Sequence, residues 1–333
     1  MGEKLLQFDK EIYIASTASV VGRKEFEGPI GSCFDLHDLT DKFGIKTWEL
    51  AEGEMQRIAL RTALAKASAE ERDVDILLAG DLQNQCVGSG YGLLSFDIPY
   101  LGLYGACSTA AEGLMLAALF VSAGYAETAA AVTSSHNCAA ERQYRTPLEY
   151  GAQRSPTAQW TVTGAGAFLV RRSGGVRICE AMPGIVVDKG IKDASNMGAA
   201  MAPAAADTLC RYFRATGHSP SDFDLILTGD LGKEGSGILR ELCRIGGVEI
   251  SRNHDDCGNM IFDPITQDVK SGGSGCGCSA AVFASYILHR MKKAEISDIL
   301  LVGTGALLSA GTVLQKETIP GVAHLIRIQR EGK

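Results

Sequence analysis

The chain has 333 residues, 46% of them apolar and 21% charged, which supplies a large core and excludes a disordered polymer. A net charge of −7 excludes nucleic acid as the main partner, because phosphate binding needs a basic surface. Ten cysteines are too few for a disulfide scaffold and "MGEKLLQF" has no apolar leader, so the thiols read as reduced, in a cytosol-like compartment.

In chain order, "IYIASTASVVGRKE" (Ile12–Glu25) reads as a strand entering a loop. Asp73–Leu82, "DVDILLAGDL", is a short apolar run closed by Gly-Asp, the mark of a buried strand ending in a turn. "GSGYG" (Gly88–Gly92) is a weak phosphate signal, since no Lys-Ser/Thr follows it. Next comes "LYGACSTAAEGLMLAALF" (Leu103–Phe120), where Cys107 stands between a strand and an apolar helix. The helix dipole and free amides there favour a thiolate. The apolar stretch Gly113–Val132 contains Glu127 and reads as a helix followed by a buried strand, not as a membrane span. The strand "AAAVTSS" leads to His136, either a partner for Cys107 or a polar residue satisfied at a strand end. The loop from His136 to Trp160 holds Arg142, Arg145 and Arg154 among Tyr144 and Tyr150, and "GAGAFLVRR" closes this part as a strand.

The chain then repeats itself. "VRICEAMPGIVVDKG" (Val176–Gly190) parallels the first strand and loop. "DFDLILTGDL" (Asp222–Leu231) matches Asp73–Leu82 at both leading aspartates and through the final Gly-Asp-Leu. "GCSAAVFASYILHRMKKAEISDILLV" repeats the helix and strand that follow Cys107, and "GVAHLIRIQR" repeats the closing strand. Four matches in one order predict two duplicated halves, residues 1–172 and 173–333, each built of strand–helix–strand units. The small residues at both helix starts suit two helices packed side by side between two sheets.

"GACSTAAEGL" and "TVTGAGAFLV" resemble the nucleophile loop and a strand of thiolases and β-ketoacyl synthases. That resemblance implies an α/β, thiolase-like, five-layered α/β/α/β/α fold. Over essentially the whole chain, "PTAQWTVTGAGA" and "GGSGCGCSA" are more specifically similar to the stage V sporulation protein AD family. Membership would imply binding of dipicolinic acid (pyridine-2,6-dicarboxylate), with or without Ca²⁺, for uptake into the developing spore alongside the SpoVA membrane proteins. It would also imply a homodimer, and a location in the cytoplasm or peripheral to the spore inner membrane.

Thiolase-type condensation needs a thiolate, a proton-transfer group and an oxyanion hole. Of the four family loops, the first keeps Cys107. The second carries Asp230 where His or Asn is expected, and an aspartate there would raise the pKa of the thiol. The third reads Gly273-Ser274, and the fourth is Gly303-Thr304-Gly305 without the second cysteine. The expectation is a non-catalytic pocket at a vestigial nucleophile. An acyltransferase, thioesterase or ketoacyl-synthase-like enzyme using Cys107 stays open, as does a purely structural subunit.

Candidate ligand-binding residues are Cys107, Ser108, His136, Arg142, Arg145, Arg154, Asp230, Lys233, Ser236 and Ser274. The arginines supply charge for carboxylates and the helix start supplies amides. Their alternative role is pairing with Glu141 and Glu149. No cofactor or metal is expected. His254, Cys257, Cys276 and Cys278 fit no usual zinc spacing. Asp81 and Asp230 are a weak Ca²⁺ pair, because Gly-Asp after a strand is also an ordinary turn.

Overall fold

A computed structural model describes residues 4–144 and 153–330. Its strands are β1 (Leu6–Gly22), β2 (Leu36–Asp38), β3 (Ile76–Gly80), β4 (Tyr100–Gly102), β5 (Thr128–Ser135), β6 (Trp160–Thr161) and β7 (Gly164–Arg171). After the turn at 172–175 come β8 (Val176–Met182), β9 (Leu225–Thr228), β10 (His254–Asp256), β11 (Gly273–Ser274), β12 (Asp298–Ala306) and β13 (Gly321–Arg330).

Counted outward from the middle, the first part of the chain orders its strands β1-β7-β5-β3-β4 and the second β8-β13-β12-β9-β10. In both, the first two pairings are antiparallel and the last two parallel. The repeated sequence thus folds into a repeated strand order, with β3 and β9 carrying the two Gly-Asp runs.

The sequence reading foresaw two sheets, but the hydrogen bonding is continuous. β1 pairs antiparallel with β8 (Ile12↔Ile178, Ile14↔Val176) as well as with β7, giving one eleven-stranded sheet with β2 added parallel to the end of β1. At 17 residues β1 is long enough to take a partner on each edge.

Helix Trp48–Lys66 covers β1, β5 and β7, and helix Met197–Thr216 covers β12 and β13. Between the half-sheets lie helix Thr109–Ala123 and the helix starting at Cys276, each packed on strands of both parts. This is the five-layered α/β arrangement. The close approach needs glycine: a Cβ on Gly166 of β7 would stand 2.5 Å from the Ala280 carbonyl of the central helix. Among the described residues one helix is long and apolar enough to cross a membrane, Ala106–Ala123, and 67% of it is buried as this central layer.

Candidate active site and its cavity

Cys107 sits where the chain turns from β4 into the central helix. The turn is tight: Ala106 has φ +52°, and the Oγ of Ser108 donates to the Gly105 carbonyl at 2.6 Å. A non-glycine residue in the left-handed region stores local strain that its surroundings must hold. β12 does the holding, since a Cβ on Gly305 would be 2.4 Å from the Gly105 carbonyl oxygen. Cys107 is 5% exposed.

The four loops picked out in the sequence converge on Asp230, which is fully buried. Its Oδ2 accepts from the Gly275 amide at 2.7 Å and from Ser274 Oγ at 3.3 Å, and its Oδ1 accepts from Thr304 Oγ1 at 2.8 Å. The Cys107 thiol lies near enough to the same carboxyl to feel its charge. Burial raises Asp230 to about 6, in opposition to these donors. Burial first, and then the neighbouring Asp230 carboxyl, push the Cys107 thiol far above its ordinary value. The helix start would favour a thiolate, but desolvation beside a carboxylate wins, and the sulfur stays protonated.

A pocket of about 50 Å³ opens beside Cys107, walled by Leu82, Tyr104, Glu141, Tyr144 and Ser274 among others. Among the described residues no His, Lys or Arg lines it. It shares Tyr144 and Ala194 with an outer cleft of about 520 Å³ that carries Arg154, Ser155 and Leu314. Tyr144 Oη donates to the Leu82 carbonyl at 2.6 Å and lies 2.9 Å from Tyr104 Oη.

Of the ten candidate residues, three meet at this point: Cys107, Asp230 and Ser274. Arg154 lines the outer cleft, with its guanidinium 4.7 Å from the Trp160 ring centre and hydrogen-bonded to the Asp268 carbonyl. Ser108 is spent on its own turn. His136 does not line the pocket. Its Nε2 faces the Asp41 carbonyl at 2.7 Å, its Nδ1 has no partner, and burial lowers its pKa. Arg142 pairs with Glu49 on the surface, and Lys233 is exposed. Ser236 is buried and accepts from Asn259 at 3.2 Å. Arg145 and Tyr150 lie outside the described residues. The suggested calcium pair is taken up by protein donors, since Asp81 accepts from Ser89 N, Ser89 Oγ and Gln83 N at 2.6–2.8 Å. Among the described residues no three His, Cys, Asp or Glu side chains group as metal ligands. Sequence reasoning missed Tyr104, and it placed Thr304 in the fourth loop without seeing it as a donor to Asp230, a role visible only once the halves are brought together.

The model of the family Stage V sporulation protein AD (SpoVAD) matches residues 2–329. The chain belongs to that family. The Stage V sporulation protein AD of Bacillus subtilis (strain 168) is 43% identical over 332 residues, 99% of this chain and 98% of that protein. Solved structures share the fold at much lower identity. A histidine-to-aspartate variant of OleA from Xanthomonas campestris aligns with a TM-score of 0.57 at 14% identity, covering 97% of this chain and 99% of that one. The 3-oxoacyl-[acyl-carrier-protein] synthase III of Aquifex aeolicus VF5 aligns with a TM-score of 0.54 at 12% identity, covering 98% and 100%. The family's name is that of a sporulation protein and gives no reaction, whereas the second of these neighbours is a synthase.

Proposed function

We propose that this family member is a non-catalytic receptor for dipicolinate, with or without Ca²⁺, that serves its uptake into the spore together with the SpoVA membrane proteins. The observation that carries the reading is the Cys107 thiol kept protonated by burial beside the Asp230 carboxyl, with no His, Lys or Arg among the described residues that line its pocket. A cysteine kept neutral beside an acid is a poor nucleophile.

The ligand belongs in the outer cleft, not against Cys107. A dry cavity of about 150 Å³ holds one benzene, so about 50 Å³ holds water and not an aromatic dicarboxylate. The outer cleft, at about 520 Å³, is in the range of small-molecule sites. Arg154 supplies a fork for a carboxylate there, with Lys24 Nζ also over the Trp160 ring at 4.3 Å. The exposed edge strand β4, with Tyr100 and Leu101 open to solvent, supports pairing with a second copy of the chain.

A second reading, Cys107-dependent acyl transfer, rests on the strained turn at Ala106 and on the synthase-like fold. Titration calorimetry with dipicolinate on the wild type, Cys107→Ala and Arg154→Ala separates the two. The receptor predicts binding that survives Cys107→Ala and weakens at least about tenfold in Arg154→Ala, the loss of one charge-assisted pair. No heat with the wild type, together with a Cys107 acyl adduct from an acyl thioester, would overturn it in favour of the enzyme.

A further inference from the structure

We infer that Tyr144 and Tyr104 form a latch across the mouth of the Cys107 pocket and set the size of molecule that reaches the thiol. Among the described residues, Tyr144 is the one aromatic side chain that walls both the inner pocket and the outer cleft. It ends the helix Asn137–Tyr144, and its ring is anchored by its own hydroxyl, which donates to the Leu82 carbonyl at 2.6 Å. With that proton committed, the 2.9 Å contact with Tyr104 has one consistent direction: Tyr104 donates and Tyr144 accepts. Leu82, Tyr144 and Tyr104 thus form a chain across the opening, all three of them pocket-lining residues.

The latch is a side-chain device. Tyr104 is 43% exposed and Tyr144 half-buried, so a rotation of Tyr144 loses two hydrogen bonds that water can replace and leaves the core intact. Opening it would join about 50 Å³ to about 520 Å³. Closed, it holds ring-sized and acyl groups in the outer cleft and leaves Cys107 in contact with water-sized molecules. The inference does not depend on which ligand the cleft takes.

Labelling of the full-length protein tests it. Cys107 modification is followed by peptide mapping with a small reagent, iodoacetamide, and a bulky one, a fluorescein-maleimide. The bulky-to-small rate ratio cancels much of any change in thiol reactivity. Relative to wild type, Tyr144→Phe should raise the ratio severalfold by releasing Leu82, and Tyr144→Ala should raise it tenfold or more. An unchanged ratio in Tyr144→Ala overturns the latch. So does labelling of the buried Cys257 and Cys278 at the same rate as Cys107, which would mean general loosening instead of a local opening.

Discussion

The Cys107 thiol lies beside the carboxyl of Asp230, a side chain delivered by the other half of the duplicated chain and held by Gly275, Ser274 and Thr304. Each half supplies one member of the pair, so the pair exists only in the assembled fold. Replacing Asp230 by Asn removes the nearest negative charge, and the thiol pKa should fall. Each unit of that fall gives about ten times more thiolate. Iodoacetamide labelling of Cys107 near pH 8 should therefore speed up at least about tenfold in Asp230→Asn, and equal rates would mean that burial alone controls the sulfur.

Stability should decline as pH rises through neutrality. Glu25 is buried, with Oε1 on the Thr163 amide at 2.9 Å and Oε2 without a partner. Burial, with Asp41 adding like charge and Lys24 only partly offsetting it, pushes the carboxyl up to about 8. Between its unfolded value near 4.5 and about 8, the folded chain holds a proton that the unfolded chain has released. Its stabilisation is complete below that window and lost as pH climbs through it. The buried Glu52, beside Asp81, is shifted in the same direction. Calorimetric Tm should be higher near pH 6 than near pH 8.5, with a shallower slope in Glu25→Gln. A Tm that rises over this range contradicts the assignment.

Gly305→Ala should destabilise the protein by roughly 1–3 kcal/mol, the usual penalty for forcing an atom into a filled space. The new methyl would meet the Gly105 carbonyl oxygen at 2.4 Å, and a backbone atom has no rotamer by which to retreat. The urea midpoint reads the cost directly. Gly237→Ala, in an exposed helical position where a Cβ meets nothing within 4 Å, should be neutral or stabilising by comparison.

If β4 pairs with its copy, Leu101→Lys should split the assembly, because it sets like charges across an edge-to-edge contact. Sedimentation should then show monomer for the variant and dimer for the wild type. A wild-type monomer at the same concentration removes the dimer proposal.

Much of the fold could be read in the sequence because the duplication is written in the strands themselves. The two Gly-Asp runs land in β3 and β9, and the helix start at Cys107 is where the strand-to-helix change placed it. The convergence of loops on Asp230 was half visible: its effect on the thiol followed from charge, but Thr304 and Gly275 as its donors needed the halves to be docked. The arginines read least well. Arg142 and Arg154 stand 12 residues apart, yet Arg142, on the helix Asn137–Tyr144, faces Glu49 and Arg154 faces Trp160. Closeness along the chain does not fix where two side chains point, so a cluster in sequence was no guide to a cluster in space.

β1 lies at the centre of the sheet with β7 on one edge and β8 on the other, so the first strand made finds both long-range neighbours only after about half the chain has been synthesised. Partners more than 150 residues downstream must be synthesised before it can be covered, and non-local pairing of this kind is slow. During synthesis an apolar strand, Ile12 to Ser19, waits with both edges open, which favours capture by a chaperone or by another nascent chain. Conversely, once β1 is in place, neither half can detach without baring a central edge, so heat should unfold the molecule in a single step.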